Sequence, residues 1–527
     1  MSPEARENDW RLRAMDRLAG IHLNRLGVAA LVGLLTLISL VLRIQQLGFH
    51  FWIDEGISVG IASHPLSELP HLLREDGSPP LYYFLLHVWM QIFGHSEKAT
   101  HELSLLFALI TVPVSYLSGS SLWGRRTGAY CAVLAAGLPF ITSYAQETRM
   151  YSLVVLLSVI VATAFLHTFV YRRRAWLPVF AVSLVGTLYT HNWGLFMGVM
   201  AFVAFLVCVR LTPRVERRPL VRDGVLAFGI TALLYLPWVP TLFYQAKHTG
   251  APWALSPILW SFSQGAYFIT GGRGAAVAIL LGAGAGLLAI RNRGIVDQRT
   301  RIAIACLSVL GVGTVVVAWL YAKHTPAWAF RYLAVVIGPL LLLAGLGLAR
   351  AAKLGLVALL LVSCFWILDP HTNLLDAKSN VASAAAKIAT SDNANTWVIS
   401  TQPEQVPTLS YYLPKVTHFE TPIGPVPDPR VMDWRNALEH FEHGSVHHTL
   451  VPMLRKLKPG QRLALVEPVR FTKEPRWMDL IYTNSYFWAR YLKRDSHLKL
   501  IGVFAPYAFE VGLPVRISLY SVQSAGT

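Results

Sequence analysis

Two carboxylates stand side by side in Phe51-Trp52-Ile53-Asp54-Glu55-Gly56, just beyond a long apolar run. A carboxylate at such a boundary serves as a general base, or it simply ends a helix in solvent. Adjacent residues point about 100° apart on a helix and to opposite faces on a strand. Asp54 and Glu55 are therefore not placed to flank one bond as the acid pair of a glycoside hydrolase does. One can face a cavity while the other enters a hydrogen-bond network. The plain alternative is a solvated pair opening a surface helix, where acids complement the N-terminal dipole.

Other polar clusters interrupt the apolar chain in the same way. Asp76-Gly77-Ser78-Pro79-Pro80 joins turn residues to a helix start, and Asp76 could equally cap that helix. Gln146-Glu147-Thr148-Arg149 lies between two apolar runs and must be solvated, paired or lining a pocket. An exposed Glu147–Arg149 pair would contribute little. His191 sits between two closely spaced runs, as a hydrogen-bonded structural group or a ligand. Lys323, His324 and Arg331 flank the mouth of a later run. There Arg331 can bind a phosphate through charge-assisted bonds or snorkel to an interface. None of these is specific alone.

What positions them is a membrane scaffold. Of 527 residues, 54% are hydrophobic and 14% charged, against about 25% charged in soluble domains. The net charge of +17 does not mark a nucleic-acid binder, because Lys and Arg gather in short connectors between apolar runs. A span takes roughly 20 apolar residues. Candidates fall at 27–47, 102–121, 127–145, 151–170, 176–190, 193–210, 224–243, 274–290, 302–321, 331–349 and 354–368. The connectors 122–126, 171–174, 210–222, 291–301 and 350–353 are basic, and the positive-inside rule places them in the cytoplasm with segment 1–26. Alternation then requires that 79–94, which opens on two prolines and has no basic flank, lies along the outer interface or re-enters. Asp54, Glu55, Asp76, Glu147, Arg149, His191, Lys323 and Arg331 thereby share one outer face, where ionisable groups at membrane depth are functional candidates.

The expected fold class is a polytopic α-helical membrane protein of about 11 spans plus interfacial helices, with a C-terminal extracytoplasmic α/β or α+β domain. The expected units are the cytoplasmic segment 1–26, a membrane domain 27–370 with outer loop 48–101, and a soluble domain 371–527. In the last, 396–400, 462–466, 499–505 and 515–521 have strand character, and 379–390 is helical. Cys131, Cys208, Cys306 and Cys364 lie in apolar runs as small core residues; no zinc or disulfide pattern is visible. No cleavable signal peptide is evident before the first span.

The segments WIDE (52–55), DGSPPLYY (76–83), YAQETRMYSL (144–153), YTHNWG (189–194) and FRYL (330–333), in that order, resemble the GT-C superfamily of membrane glycosyltransferases. The nearest group is the bacterial relatives of protein O-mannosyltransferases and of the lipid A aminoarabinose transferase. The resemblance covers roughly 27–370. It implies a large outer loop after the first span and a bacterial cytoplasmic-membrane location. The donor would be a polyprenyl-phosphate-linked sugar, the acceptor a glycan, lipid or protein, with membrane lipid around the spans. It implies a catalytic acid at Asp54, supported by Glu55, and a second acid at Glu147. In the aminoarabinose branch an acid before the prolines and a later histidine bind a metal, by position Asp76 and His191. A divalent metal ion is thus a candidate cofactor, although that branch carries Glu and Lys where this chain has Asp-Gly-Ser. A phosphomonoester leaves readily, so one base suffices: Asp54 would take the acceptor proton as the hydroxyl attacks C1 from the opposite face. Arg331, with Arg149 or Lys323, would stabilise the departing phosphate. The alternative is a transporter or flippase of a lipid-linked saccharide. Such proteins often carry internal repeats and binding sites near the midplane, whereas here no repeat stands out and the charges lie at one edge.

Overall fold

In the computed structural model, residues 24–292, 297–368, 377–389, 395–470, 472–505 and 511–524 are described. The expected segment up to residue 23 and the expected boundary at 370 lie outside them. The first half of the chain is helical: α1 (Arg25–Arg43), α2 (Ile53–Ala62), α3 (Leu69–Asp76), α4 (Leu81–Phe93), α5 (Glu97–Trp123), α6 (Arg125–Gly137), α7 (Pro139–Tyr144), α8 (Tyr151–Phe165), α9 (Leu177–Thr190) and α10 (Gly194–Leu211). There follow α11 (Arg214–Tyr235), α12 (Val239–His248), α13 (Ser261–Thr270), α14 (Arg273–Asn292), α15 (Gln298–Ser308), α16 (Thr314–His324), α17 (Ala334–Arg350) and α18 (Ala352–Leu368).

Eight helical stretches among the described residues are long and apolar enough to cross a membrane. The other expected spans, 127–145, 176–190 and 354–368, fall on shorter helices. The first of these breaks at Pro139, and the break has a local cause. Proline has no N–H, so the Ala135 carbonyl loses its helical donor. Arg43, fully buried at the end of α1, replaces it: Nη2 donates to Ala135 O at 2.8 Å and to Ala136 O at 3.1 Å. A buried cation thus fastens the first helix to the kink. Elsewhere small residues bring helices together. Gly338 of α17 lies against the Ser158 backbone of α8, and its N–H donates to Ser158 Oγ at 2.9 Å. Three of the four cysteines are buried as expected, whereas Cys364 faces outward from α18.

Segment 44–96 carries α2, α3 and α4 on one end of the bundle. α4 has 13 residues, about 20 Å at 1.5 Å per residue, against a hydrocarbon core of about 30 Å. It is shorter than the eight long apolar stretches, as is α18. Tyr82, Tyr83, Leu86 and Met90 face the protein, while Leu85, Val88 and Ile92 stay exposed.

The C-terminal part is an α/β unit. It comprises β1 (Ala377–Ser379), α19 (Val381–Ala389), β2 (Thr396–Ser400), α20 (Val406–Tyr412), β3 (His418–Thr421), β4 (Gly424–Pro425), α21 (Ala437–His443), α22 (Val451–Leu454), β5 (Arg462–Pro468), α23 (Arg476–Leu492), β6 (Leu498–Phe504), β7 (Val511–Leu513) and β8 (Val515–Val522). Six strands form one sheet in the order β4-β3-β2-β5-β8-β6. β2 runs parallel to β3 and β5, and β8 antiparallel to β5 and β6. Alternate side chains serve opposite layers. Val398, Ala464 and Ile517 pack with α19 and α20, and Trp397, Ile399, Leu463 and Leu465 with α22 and α23.

This unit is locked to α2 rather than tethered beside it. Phe51 N–H donates to Tyr412 Oη at 2.8 Å, and Ser379 Oγ donates to Phe51 O at 2.7 Å. His64 meets Asp428 at 2.7 Å, and Arg435 meets Glu75 at 2.8 Å. Gly56 and Gly60 line the contact: a Cβ at Gly56 would overlap Thr408, and one at Gly60 the Arg430 carbonyl. Gly60→Ala should therefore lower the thermal midpoint in detergent by the equivalent of about 1–3 kcal/mol. Gly33→Ala, on a surface of α1 with nothing within 4 Å, is the control and should not lower it. Equal midpoints would contradict this packing.

Candidate active site

The first turn of α2 sorts the two acids. Trp52 is extended at the N-cap, which places Asp54 and Glu55 in the first helical turn. Glu55 Oε2 accepts from Trp52 N–H at 3.3 Å, an N3 acid reaching back to its own cap. Its Oε1 meets His101 Nε2 at 2.6 Å and accepts from Lys378 Nζ at 2.8 Å and Thr148 N–H at 2.9 Å. His101 Nδ1 donates to Leu47 O at 2.7 Å, and Lys378 Nζ also donates to the Gln146 carbonyl. Glu55 and His101 have no exposed surface. Burial pushes the Glu55 carboxyl up, but the charges of Lys378 and His101 outweigh it and hold the group below its ordinary value. Glu55 is fully engaged.

Asp54 points away into a different setting. Its Oδ2 lies 3.4 Å from Arg331 Nη2 and 3.8 Å from Arg149 Nη2. Both are ion-pair distances and neither is a short hydrogen bond. Arg149 Nη1 donates to Ser58 Oγ at 3.0 Å and to Asp54 O at 3.2 Å. The Arg331 guanidinium lies 4.8 Å from the Trp253 ring centre, 5.5 Å from Tyr332 and 5.8 Å from Trp52, a setting that favours a cation. Asp54 Oδ2, Arg149 Nε, Arg331 Nε and Trp52 Nε1 are buried and have no hydrogen-bond partner in the protein. Buried polar atoms are normally satisfied, so this clustering around one carboxylate marks a place built for a polar ligand.

The turn 145–150 feeds several partners at once. Gln146 Oε1 accepts from Gln46 N–H at 2.7 Å, Thr148 N–H goes to Glu55, and Arg149 goes to Asp54. Glu147 does not pair with Arg149. Its Oε2 is buried without a partner. Burial raises its pKa, opposed by Lys378 and reinforced by Glu55 and Asp54, so Glu147 holds a proton more readily than an ordinary carboxyl.

Asp76 ends α3 instead of capping the helix that follows, and Gly77 takes the left-handed conformation there (φ 90°). The loop is pinned by Asn192 Nδ2 donating to Gly77 O at 2.9 Å and by Gln245 Nε2 donating to Leu73 O at 2.8 Å. Enclosure raises the Asp76 pKa to about 6, moderated by Ser78 and Arg149. His191 is buried at the end of α9 and accepts from Trp193 N–H at 3.1 Å through Nδ1. Its pKa falls to about 3 through burial and then the charges of Arg149 and Arg331, so it is neutral. Among the described residues no three His, Cys, Asp or Glu side chains gather as metal ligands. Asp76 and His191 thus lack a third acidic, His or Cys partner and lie in the field of two guanidinium groups. With no third protein ligand, a divalent ion held by these two residues would need water or donor-phosphate oxygens to complete its shell. Lys323 is exposed on α16, 5.4 Å from the Trp319 ring centre, outside the contacts that join Asp54, Arg149 and Arg331.

Some residues of this neighbourhood carried no mark in the sequence. Lys378 sits in an ordinary polar stretch. His101, one residue before an expected span, was detectable as an ionisable group at membrane depth. Glu404 enters from the α/β unit, buried and bonded by Trp477 Nε1 at 3.1 Å, and its carboxyl is raised by burial and, to a lesser degree, by Asp54.

A helical membrane bundle, a first loop carrying acids and a C-terminal mixed-sheet unit together have the GT-C fold of membrane glycosyltransferases. Residues 77–242 match the family model described as dolichyl-phosphate-mannose-protein mannosyltransferase. Among solved structures, the chain is similar to ArnT from Cupriavidus metallidurans, with 14% identity, 95% of this chain and 99% of that one covered, and a TM-score of 0.59. The undecaprenyl-phosphate-bound form of that protein gives 13% and 0.57. The Archaeoglobus fulgidus oligosaccharyltransferase, in complex with zinc and sulfate, is similar at 12% identity over 82% of this chain and 67% of that one, with a TM-score of 0.54. Arabinofuranosyltransferase AftD from Mycobacteria gives 14% and 0.56 over 95% of this chain and 40% of that one. Among curated proteins none matches.

Two measurements check this electrostatic layout. Removing one partner of a buried ion pair costs about 3–5 kcal/mol. Lys378→Met and Glu55→Gln should each destabilise by that order, and the double variant should recover part of the loss. Strictly additive losses would show that the two groups do not interact. For Asp76, the stabilising contribution of the protonated form is full below its ordinary value of 3.8 and is lost as pH rises through about 6. Asp76→Asn should therefore have a higher thermal midpoint than the parent at pH 8, and the gap should close below pH 4. A gap independent of pH would contradict the enclosed carboxyl.

Proposed function

We propose that the protein moves a sugar from a polyprenyl-phosphate donor to an acceptor hydroxyl, with inversion, on the outer face of a bacterial cytoplasmic membrane. The N-terminus lies in the cytoplasm and the α/β unit outside. The observation that carries this reading is the half-buried Asp54, its Oδ2 enclosed between two guanidinium groups and neighboured by unmatched donors at the end of apolar helices. Lipid phosphates accompany similar folds: ArnT is described bound to undecaprenyl phosphate, and the Archaeoglobus enzyme in complex with an inhibitory peptide and a dolichol-phosphate.

The chemistry follows from charge. In the resting protein Asp54 is the anion that Arg149 and Arg331 share. A donor phosphate competes for both guanidinium groups through charge-assisted bonds. As they turn to the phosphate, Asp54 is released from its ion pairs and its carboxylate is free to face the acceptor. It then accepts the proton of the acceptor hydroxyl. The new oxygen–C1 bond forms as the bond from C1 to the phosphate oxygen breaks. The electron pair leaves with polyprenyl phosphate, whose added charge the two arginines stabilise. Glu147, holding its proton, donates a hydrogen bond to the sugar. Glu55 fixes the turn that aims Asp54.

Purified protein supplied with synthetic polyprenyl-phosphate sugars and an acceptor should release polyprenyl phosphate. Asp54→Asn should lose about 100-fold to 10,000-fold in turnover while keeping its fold and donor binding. Unchanged turnover in that variant would remove Asp54 as the base. Lipid movement in liposomes without turnover of any donor would replace the transferase reading with a flippase.

A further inference from the structure

Segment 426–436 runs on from β4 and crosses the ends of three helices. Trp434 N–H donates to Glu75 O of α3 at 3.1 Å, and Asn436 N–H donates to His248 O of α12 at 2.7 Å. Arg435 adds its ion pair with Glu75. Near its other end the segment meets α2 through His64, just past the helix. His64 is 3% exposed. Its Nε2 lies 2.7 Å from Asp428 Oδ2, and its Nδ1 lies 3.0 Å from Gly60 O and 3.2 Å from Ile61 O. Asp428 also accepts from Arg430, through N–H at 3.0 Å, Nε at 3.1 Å and Nη2 at 3.1 Å.

The oxygens around the His64 ring only accept. A neutral imidazole has one N–H and one lone pair, so it satisfies one side of the ring and not the other. The imidazolium donates from both nitrogens and satisfies both. A protonated Asp428 donating to a neutral ring is the other arrangement, but Arg430 forks onto that carboxylate and keeps it ionised. Burial raises the Asp428 carboxyl, yet the bonds from His64 and Arg430 hold it well below its ordinary value. Burial disfavours charge on His64, the Asp428 bond outweighs it, and the Arg430 charge opposes it only in part, so the ring titrates above its ordinary value. The other titratable groups nearby are turned elsewhere: His87 of α4 meets Ala62 O at 2.9 Å, and Glu75 of α3 is engaged by Arg435 and by the exposed His71.

We infer that His64 is a proton-operated latch between the α/β unit and α2. While the ring carries both protons, it fastens segment 428–431 to the helix that bears Asp54 and Glu55. When one proton leaves, the neutral ring keeps one of its two bonds and sets a lone pair against an oxygen on the other side. In either tautomer the charge that pairs with Asp428 is gone. The seam between α2 and the α/β unit then loosens from the 428 end, while the contacts of Trp434, Arg435 and Asn436 with α3 and α12 remain. The latch goes beyond the transferase reading and does not depend on it.

The test is hydrogen–deuterium exchange of the full-length protein in detergent at pH 6 and pH 9, corrected for the intrinsic pH dependence of exchange, with thermal midpoints alongside. The latch contributes fully below the ordinary histidine value of 6.5 and is lost as pH rises through the higher folded value. Peptides over 58–64 and 428–432 should therefore lose protection at pH 9 by about three-fold or more, while a peptide over β5 keeps its protection. His64→Gln retains a neutral donor toward Asp428 and should show equal protection at the two pH values. Asp428→Asn, at a partly exposed position, should do the same and serves where the buried variant does not fold. The parent should have a higher thermal midpoint than His64→Gln at pH 6, and the gap should close at pH 9. His71→Gln should behave as the parent does. Protection independent of pH in the parent, a pH response retained in either variant, or an equal loss of protection over β5 would overturn the assignment.

Discussion

The burial of Glu55 is the constraint on which the site depends. A carboxylate with no exposed surface carries a desolvation cost of several kcal/mol. It is stable only because donors converge on it from three distant parts of the chain: His101 on α5, the Thr148 amide between α7 and α8, and Lys378 on β1 of the α/β unit. These groups fix the rotation and height of the first turn of α2. With Glu55 facing inward, its neighbour must emerge about 100° away. That direction leads to Arg149 and Arg331. The orientation of Asp54 is therefore a consequence of where Glu55 is held.

Seen this way, the α/β unit belongs to the machinery of the site. Lys378 supplies a charge, Ser379 and Tyr412 hold the backbone of Phe51, and Glu404 comes up against the same cleft. Without Lys378, Glu55 would keep His101 and Thr148 but would lose the ammonium that lowers its carboxyl most. The glycines at 56 and 60 have the same logic on the packing side. They let the helix that bears the acids lie directly on the α/β unit, so that displacement on one side moves the other.

Much of this was legible in the sequence because it depends on local pattern. The apolar runs located the long helices, and the strand-like runs at 396–400, 462–466, 499–505 and 515–521 coincide with β2, β5, β6 and β8 to within two residues. The break inside 127–145 was signalled only by Pro139, because apolar composition runs through it unchanged. What escaped were contacts between residues remote in sequence. Lys378 and Glu55 are 323 positions apart, and nothing in the polar stretch around Lys378 separates it from a solvated lysine. Lys323 shows the converse: it stands near Arg331 in the chain, yet its ring contact with Trp319 lies outside the acid–arginine cluster.

Arg43 and Arg331 show why only one of these networks is left incomplete. Arg43 is deep in the bundle and spends its donors on carbonyls freed by the helix break at Pro139. It leaves a closed, structural set. Arg331 is held by aromatic rings and by one carboxylate oxygen at 3.4 Å, and its Nε has no partner. Aromatic faces support a cation without consuming its hydrogen-bond donors. Such a setting keeps the guanidinium charged and its donors available. An Arg held by carbonyls has nothing left to offer a ligand, and an Arg paired bidentately with Asp54 would neutralise both groups. The loose pairing around Asp54 avoids both outcomes.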